Sequence, residues 1–354
     1  MTSERKQPRV RPMRVFVGPG SPAEADFRAQ VLMPEPAVIA PGVPPSPAHD
    51  LQFHGGHIIA DLVYTNFYVG GAAAWQASDI QNIDQALAAA MADPNLNNVM
   101  VQYFHSGAIS TTFKPSQVLA GPPPSVVSQG DVENLALSLL QMGTLKGYDF
   151  TATVFNFLLP SGTILNTDAA PTMVAVPAIL EQGQGQQGQG QQADPHQVSR
   201  GVEQTSDSTQ GLGGYHGSVH ATTVGGSQTI YYAVGVYSEQ LPNGVTNGIP
   251  VFAQPWKSVV ATFYHELNEA RTDPDVEDAI RAGNDPNAVK FLGWTSAQGE
   301  ECGDYPVFEA NPLSQVFQEV TLTDGSGTVP VQFQYSDAVH GPEGPTPTPD
   351  PYAG

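Results

Sequence analysis

The sequence predicts a single α/β domain over about residues 51–340, with a mixed, twisted sheet and one long helix that carries the chemistry. Three observations predict it. The run from Ile58 to Val69 alternates and is rich in β-branched and aromatic residues. A helical repeat follows it, as in a strand–helix–strand unit with parallel neighbours. Two later runs, Gly213–His220 and Thr229–Tyr237, read as paired strands, the second dense in Ile230, Tyr231, Tyr232, Val234 and Val236. From Pro255 to Asp273, apolar residues recur at helical spacing opposite a charged side.

Composition narrows the class. At 354 residues the chain has ample length for a real core. Its 36 glycines and 32 prolines predict many turns and long loops. Lys+Arg is 13 against Asp+Glu 34, a formal charge of -21. Arg5, Lys6, Arg9, Arg11 and Arg14 lie at the very start, so the body is more acidic still. Such a body repels nucleic acid and anionic membrane, and neither is expected as a partner. The single cysteine, Cys302, excludes an intramolecular disulfide. No apolar run follows the basic start and none reaches 18 residues, so neither a signal peptide nor a transmembrane segment is visible. Cytoplasmic residence is the default expectation.

Taken in order, residues 1 to about 50 read as a disordered Pro-rich tail, as in Pro41-Gly42-Val43-Pro44-Pro45. After the first strand, Ser78 opens a helix with Gln81 completing a capping box, and Ile80, Ile83, Leu87 and Met91 form its stripe. Asp93-Pro94 ends it, and Asn98–His105 reads as the second strand. Asp131 caps another helix carrying Val132, Leu135, Leu139 and Met142, and Phe150–Leu159 reads as a strand. Gln182–Gln192 is a Gly/Gln run with no apolar residue, the core of a flexible surface loop over 182–211. Residues 275–299 read mostly as loop, with Trp294 as an anchor. Val329–Tyr335 is the final strand, and a second Pro-rich tail occupies 341–354.

The helix from Pro255 places His265 and Glu269 on one face, four residues apart, with Glu266 at its edge. Val259, Val260, Phe263, Leu267 and Ala270 fall in the opposite sector. His-Glu-x-x-Glu is the zinc-helix spacing H-E-x-x-H with a carboxylate for the second histidine, and zinc accepts carboxylate oxygen. The competing reading is a solvated charged face with one chance histidine. A catalytic zinc site needs a third protein ligand. Asp304 is the first choice and Glu301 the second, in a stretch where Gly303 permits close backbone approach. Cys302 is a soft ligand type but reads better as a small buried apolar residue. Asp273 before Pro274 reads as a turn, with an oxygen site at Asp273 or Asp275 as the alternative. With zinc present, Glu266 would be the general base on the attacking water. Tyr215 and His216 would face it across a cleft and steady an oxyanion. His54, His57 and His105 read as structural, and nothing in the pattern ties Tyr335 or His340 to the motif.

His265-Glu266-Leu267-x-Glu269-Ala270, Thr272-Asp273-Pro274, Trp294 and Glu301-x-Gly303-Asp304 resemble the C-terminal half of the phosphate-induced, EXORDIUM-like proteins. Phe53-His54-Gly55-Gly56 is similar to that family's start, and Gly213-Gly214-Tyr215-His216 to its middle. The similarity runs patchily over about residues 53 to 337. More broadly, the element order resembles zincin metallopeptidase domains, so the metal helix reads as a zincin-like active-site helix. The resemblance implies a zinc-dependent hydrolase, a metallopeptidase acting on a peptide or protein. The alternative is a non-catalytic metal-stabilised or ligand-binding protein of EXORDIUM-like type, because fold does not dictate function.

Deleting Gly183–Gln191 should leave the thermal midpoint nearly unchanged, since closure entropy grows slowly with loop length. A large fall in a melting scan would show that this stretch packs.

Overall fold

The computed structural model describes residues 15–23, 43–167, 207–223, 226–283 and 285–353. The Gly/Gln run lies outside them. The chain forms an α/β domain on a six-stranded mixed sheet. Its strands are β1 (Val15–Val17), β2 (Asp61–Tyr68), β3 (Ser110–Val118), β4 (Thr153–Leu158), β5 (Leu212–Thr223) and β6 (Gly226–Gly235), in spatial order β1-β5-β6-β4-β2-β3. The contacts β6–β4, β4–β2 and β2–β3 are parallel, whereas β5 pairs antiparallel with β6 and with β1. The paired late strands read from the sequence are therefore β5 and β6.

Helix α1 (Ala77–Ala92) begins two residues earlier than a cap at Ser78 implies. That puts Ser78 inside the first turn, and the N-cap, Gln76, makes no side-chain cap. The larger difference follows at Asp93-Pro94. This pair stops α1 but also starts a second helix, α2 (Pro94–Val101), where the sequence suggested a strand. Asp93 accepts from the amide of Leu96 at 3.0 Å, and proline at the first helical position costs nothing because that N–H has no intrahelical partner. Asn97 spans the corner with bonds to the carbonyls of Ala90, Met91 and Asp93. The second strand of the crossover is instead β3. Helix α3 (Gln129–Gln141) is capped by Ser128, with Asp131 as the reciprocal partner of the capping box rather than the cap itself.

The sheet has a core on each face. One holds Leu62, Tyr64, Val154, Leu158, Tyr231 and Ala233 against α1 and the long helix α4 (Pro255–Thr272). The other holds Phe155, Phe157, Tyr215, Tyr232 and Val234 against α3. β4 is buried along its whole length, as a central parallel strand should be. A hairpin of β7 (Phe317–Thr321) and β8 (Thr328–Gln332) closes the α4 side with Val320, Val329 and Val331.

Helix α4 starts with Pro255 at its first turn and stops at Asp273, before Pro274. Val259, Val260, Phe263, Leu267 and Ala270 face α1 and β8, as the spacing predicts. The charged side is not solvated: every residue from Ser258 to Thr272 is buried. Much of the polarity along it is absorbed locally. Thr262 donates to the carbonyl of Ser258, Asn268 to that of Tyr264, and Thr272 to that of Asn268. Arg271 turns away to the carbonyls of Ala60 and Ser110, 2.8 and 2.9 Å off. The helix lies close to the sheet because Gly214 of β5 and Gly235 of β6 are paired beneath it. A Cβ on Gly214 would stand 3.1 Å from Glu266 Oε1, and one on Gly235 would stand 3.0 Å from the ring of Phe263.

After α4, residues read as loop form a short helix α5 (Val276–Ala282), with Glu277 and Asp278 in its first turn and Arg281 in its last. Trp294 is buried in the strand Trp294–Ser296, which pairs with Leu51–Phe53. The segment from Gly341 runs along α2. The amides of Thr346, Asp350 and Ala353 donate to the carbonyls of Asn95, Asn98 and Gln102. Among the described residues, no helix is long and apolar enough to cross a membrane.

Leu267 is fully buried between α1 and β8. Leu267→Ala should cost about 2–5 kcal/mol in denaturant unfolding, from lost transfer energy plus a cavity.

Candidate metal centre

Four elements bring polar or ionisable groups to the charged side of α4. The helix supplies His265, Glu266 and Glu269. β5 supplies His216, which faces α4 because alternate strand residues point to opposite faces. The turn before helix α6 (Asp304–Glu309) supplies Glu301, and the helix's first residue is Asp304. β8 supplies Gln332. His216, His265, Glu266, Glu269 and Glu301 are 0% exposed and Asp304 is 1% exposed, which decides against an open charged face.

One donor set is His265, Glu269 and Asp304, whose ligand atoms lie within 4.8 Å of one another. A second is His216, Glu266 and Glu269, within the same limit. The tetrahedral edge of a zinc site is about 3.4 Å, so either set needs only a modest contraction. The contact between His265 Nε2 and Glu269 Oε2 is already 3.1 Å. Glu301 joins neither set. Its Oε1 lies 3.5 Å from His216 Nε2, on the far side of that ring.

The imidazole of His265 is oriented by a partner that sequence reasoning missed. Its Nδ1 lies 2.8 Å from Gln332 Oε1, and Gln332 Nε2 donates to the carbonyl of Gly303 at 2.6 Å. The amide's orientation makes Oε1 the acceptor, so Nδ1 carries the hydrogen and Nε2 presents its lone pair to Glu269. No spacing or motif marks Gln332, because its importance lies wholly in where β8 crosses α4.

Backbone amides hold the carboxylates. Gly303 N–H donates to Glu269 Oε1 at 3.1 Å, and Glu301 N–H donates to Asp304 Oδ2 at 2.9 Å. Glycine is required at 303 by close approach: a Cβ there would overlap His265 Nδ1 and stand 3.0 Å from Glu269 Oε1.

Burial raises Glu269, Glu301, Asp304 and Asp273 well above the usual carboxylate range, and repulsion from Glu269 adds to it at the other three. Burial also pushes His265 down to about 4, against the pull of Asp304 and the Gln332 bond. None of these four acids is paired with lysine or arginine among the described residues. The lysine and arginine ion pairs lie elsewhere, at Glu319, Glu133, Glu277 and Asp278.

The remaining candidates separate cleanly. Tyr215 points to the opposite face of the sheet from His216 and packs into the α3 core, so it cannot share an oxyanion role. Asp273 accepts from Gly293 N–H at 2.8 Å, which makes it a helix-end tie. Asp275 meets the hydroxyl of Tyr231 at 3.3 Å. Cys302 is buried, its thiol 3.4 Å from Gln334 Oε1. His54, His57 and His105 bond to Thr295, the carbonyl of Thr151 and Tyr352. Tyr335 and His340 meet at Asp50, away from the centre.

No protein-family model matches the chain, and neither curated proteins nor solved structures give a match.

Gly303→Ala should break the His265–Gln332 alignment and lower the melting midpoint markedly, whereas the same change at exposed Gly325 should have a smaller effect. The buried acids also set a pH dependence for the metal-free chain. Their folded values lie above their unfolded ones near 4, so the folded state binds more protons and stability falls as pH rises. His265 opposes this, since a depressed histidine adds stability as pH rises from about 4 towards 6.5. Four acids outweigh one histidine. Metal-stripped protein should therefore unfold at lower denaturant at pH 8 than at pH 5.

Proposed function

We propose that the protein is a metalloprotein that holds a divalent cation, zinc first, between His265, Glu269 and Asp304. One observation carries the reading: Nε2 of His265 faces a carboxylate oxygen at 3.1 Å in a fully buried space. Something positive must lie between them. In the metal-free chain a proton on Glu269 suffices, but the convergence of Asp304 on the same space supplies a third donor that a proton does not need. One imidazole with two carboxylates suits zinc. The Gln332–His265 bond is the outer support that a metal-ligating histidine commonly has. The near-total burial of the donors favours a closed, structural centre that ties α4 to the 301–304 turn and β8.

The second reading is a zinc-dependent metallopeptidase, favoured by Glu266. A structural site does not need this residue, and its carboxylate lies beside the same space, 3.4 Å from His216. A bound zinc would polarise a peptide carbonyl; Glu266 would take the proton from the attacking water, and His216 would stand next to it.

Purified protein should carry zinc by elemental analysis, and chelation should lower the melting midpoint by about 5 °C or more if the ion is in hundredfold excess over its dissociation constant. Glu269→Gln should weaken binding by more than the ~10–100-fold of an outer-shell change. A chain that takes up no divalent metal overturns the reading. A peptide-cleaving activity that falls about 10²–10⁴-fold in Glu266→Gln would select the peptidase over the structural centre. Metal-loaded wild type that cleaves nothing in a peptide library would select the structural centre.

A further inference from the structure

The donor atoms of the centre form two sets, and Glu269 belongs to both. We propose that the centre is dinuclear: a second divalent cation sits between His216 Nδ1, Glu266 and Glu269, and the carboxylate of Glu269 bridges the two ions. This rests on the reading of the His265 set as a metal site and extends it.

Three observations carry the second ion. The first is the position of Glu269 Oε2. It lies 3.1 Å from Nε2 of His265 and 3.7 Å from Nδ1 of His216, so one oxygen is flanked by two imidazole nitrogens. Carboxylates that bridge two metals stand in this way, with the ions about 3.5–4 Å apart in known two-metal sites.

The second is the orientation of His216. Its Nε2 faces two acceptors, the carbonyl of Asp273 at 3.3 Å and Glu301 Oε1 at 3.5 Å. A hydrogen belongs on that nitrogen, which leaves Nδ1 to present a lone pair to Glu266 Oε2 at 3.4 Å and to Glu269. An imidazole nitrogen and two carboxylates converging in a dry space are a donor set that a divalent cation takes, as at His265. Glu301 is the independent sign. It is 0% exposed, neither of its oxygens accepts a hydrogen bond among the described residues, and it is aimed at the ring edge of His216. A carboxylate behind the distal nitrogen of a ligating histidine orients the ring and raises its basicity. Glu301 is thus a positioning residue for the second ion rather than a ligand of the first.

The third is charge. Glu266, Glu269, Glu301 and Asp304 surround the two histidines at 0–1% exposure. Buried charge is retained only when paired or metal-bound. One divalent ion compensates half of four ionised carboxylates, and two compensate all of them. The combined donors, two imidazoles with carboxylates, suit first-row divalent ions such as Zn²⁺, Mn²⁺ and Fe²⁺.

The test uses the full chain, stripped by chelator, reloaded with Mn²⁺ alone and desalted. Two Mn²⁺ per chain are expected, with the six-line electron paramagnetic resonance signal of isolated Mn²⁺ suppressed by coupling between the ions. One Mn²⁺ per chain with a full six-line signal overturns the second ion and leaves the His265 site standing. None overturns both. His216→Ala should lower the count from two to one and restore the six-line signal. Glu301→Gln, a gentler change, should weaken only the second equivalent, by about 10–100-fold. Should either variant fold poorly, the wild-type count still decides. Under the single-ion peptidase reading Glu266→Gln keeps its full metal content, whereas the dinuclear centre loses one ion.

Discussion

The structure turns on one constraint: ionisable side chains on one face of a helix are shut away from water. Charges buried without compensation cost several kcal/mol each, enough to consume the net stability of a domain. This fold places Glu266, Glu269, Glu301 and Asp304 within a shared space with two histidines and leaves Arg271 pointing elsewhere. Among the described residues no lysine or arginine pairs with these acids, and hydrogen bonds hold them in place. Backbone amides of Gly303 and Glu301 each donate to a carboxylate, and the side-chain amide of Gln332 fixes the ring of His265.

Backbone economy makes the enclosure. The glycine pair Gly214 and Gly235 lets α4 sit against the sheet, which brings His216 up to the helix. Gly303 lets the following turn press on the other side of the same helix turn. A methyl group at 214 or 303 would part the walls and admit solvent, so three residues with no chemistry of their own determine how dry the acids are.

How much of this was legible in the sequence depends on the kind of signal. The four-residue spacing of His265 and Glu269 and the apolar stripe behind them follow from helical geometry, and α4 shows both. Asp304 is reachable by argument because a glycine beside an acid implies a close turn. Burial of the acidic face was not legible: charge on one side of a helix suggests water, and only the arrival of β5, the 301–304 turn and β8 covers it. The Asp93-Pro94 pair misleads because it signals an end and a beginning equally well, and the apolar residues after it suggest a strand where α2 forms. Tyr215 and His216 are neighbours in sequence but on opposite faces of β5, a distinction that needs the register. Gln332 carries no local mark at all.

The donors come from positions 216, 265–269 and 304, with the supporting amide at 332. These positions are far apart in sequence and are brought together by the sheet, the helix and the closing hairpin. A cation captured there therefore has little to hold while the chain is folding, since contacts so distant in sequence form late. It would act on the return journey. With an ion in place, escape from the finished structure would first have to break a cross-link among three separated segments, so the ion would lengthen the native lifetime far more than it would hasten its formation.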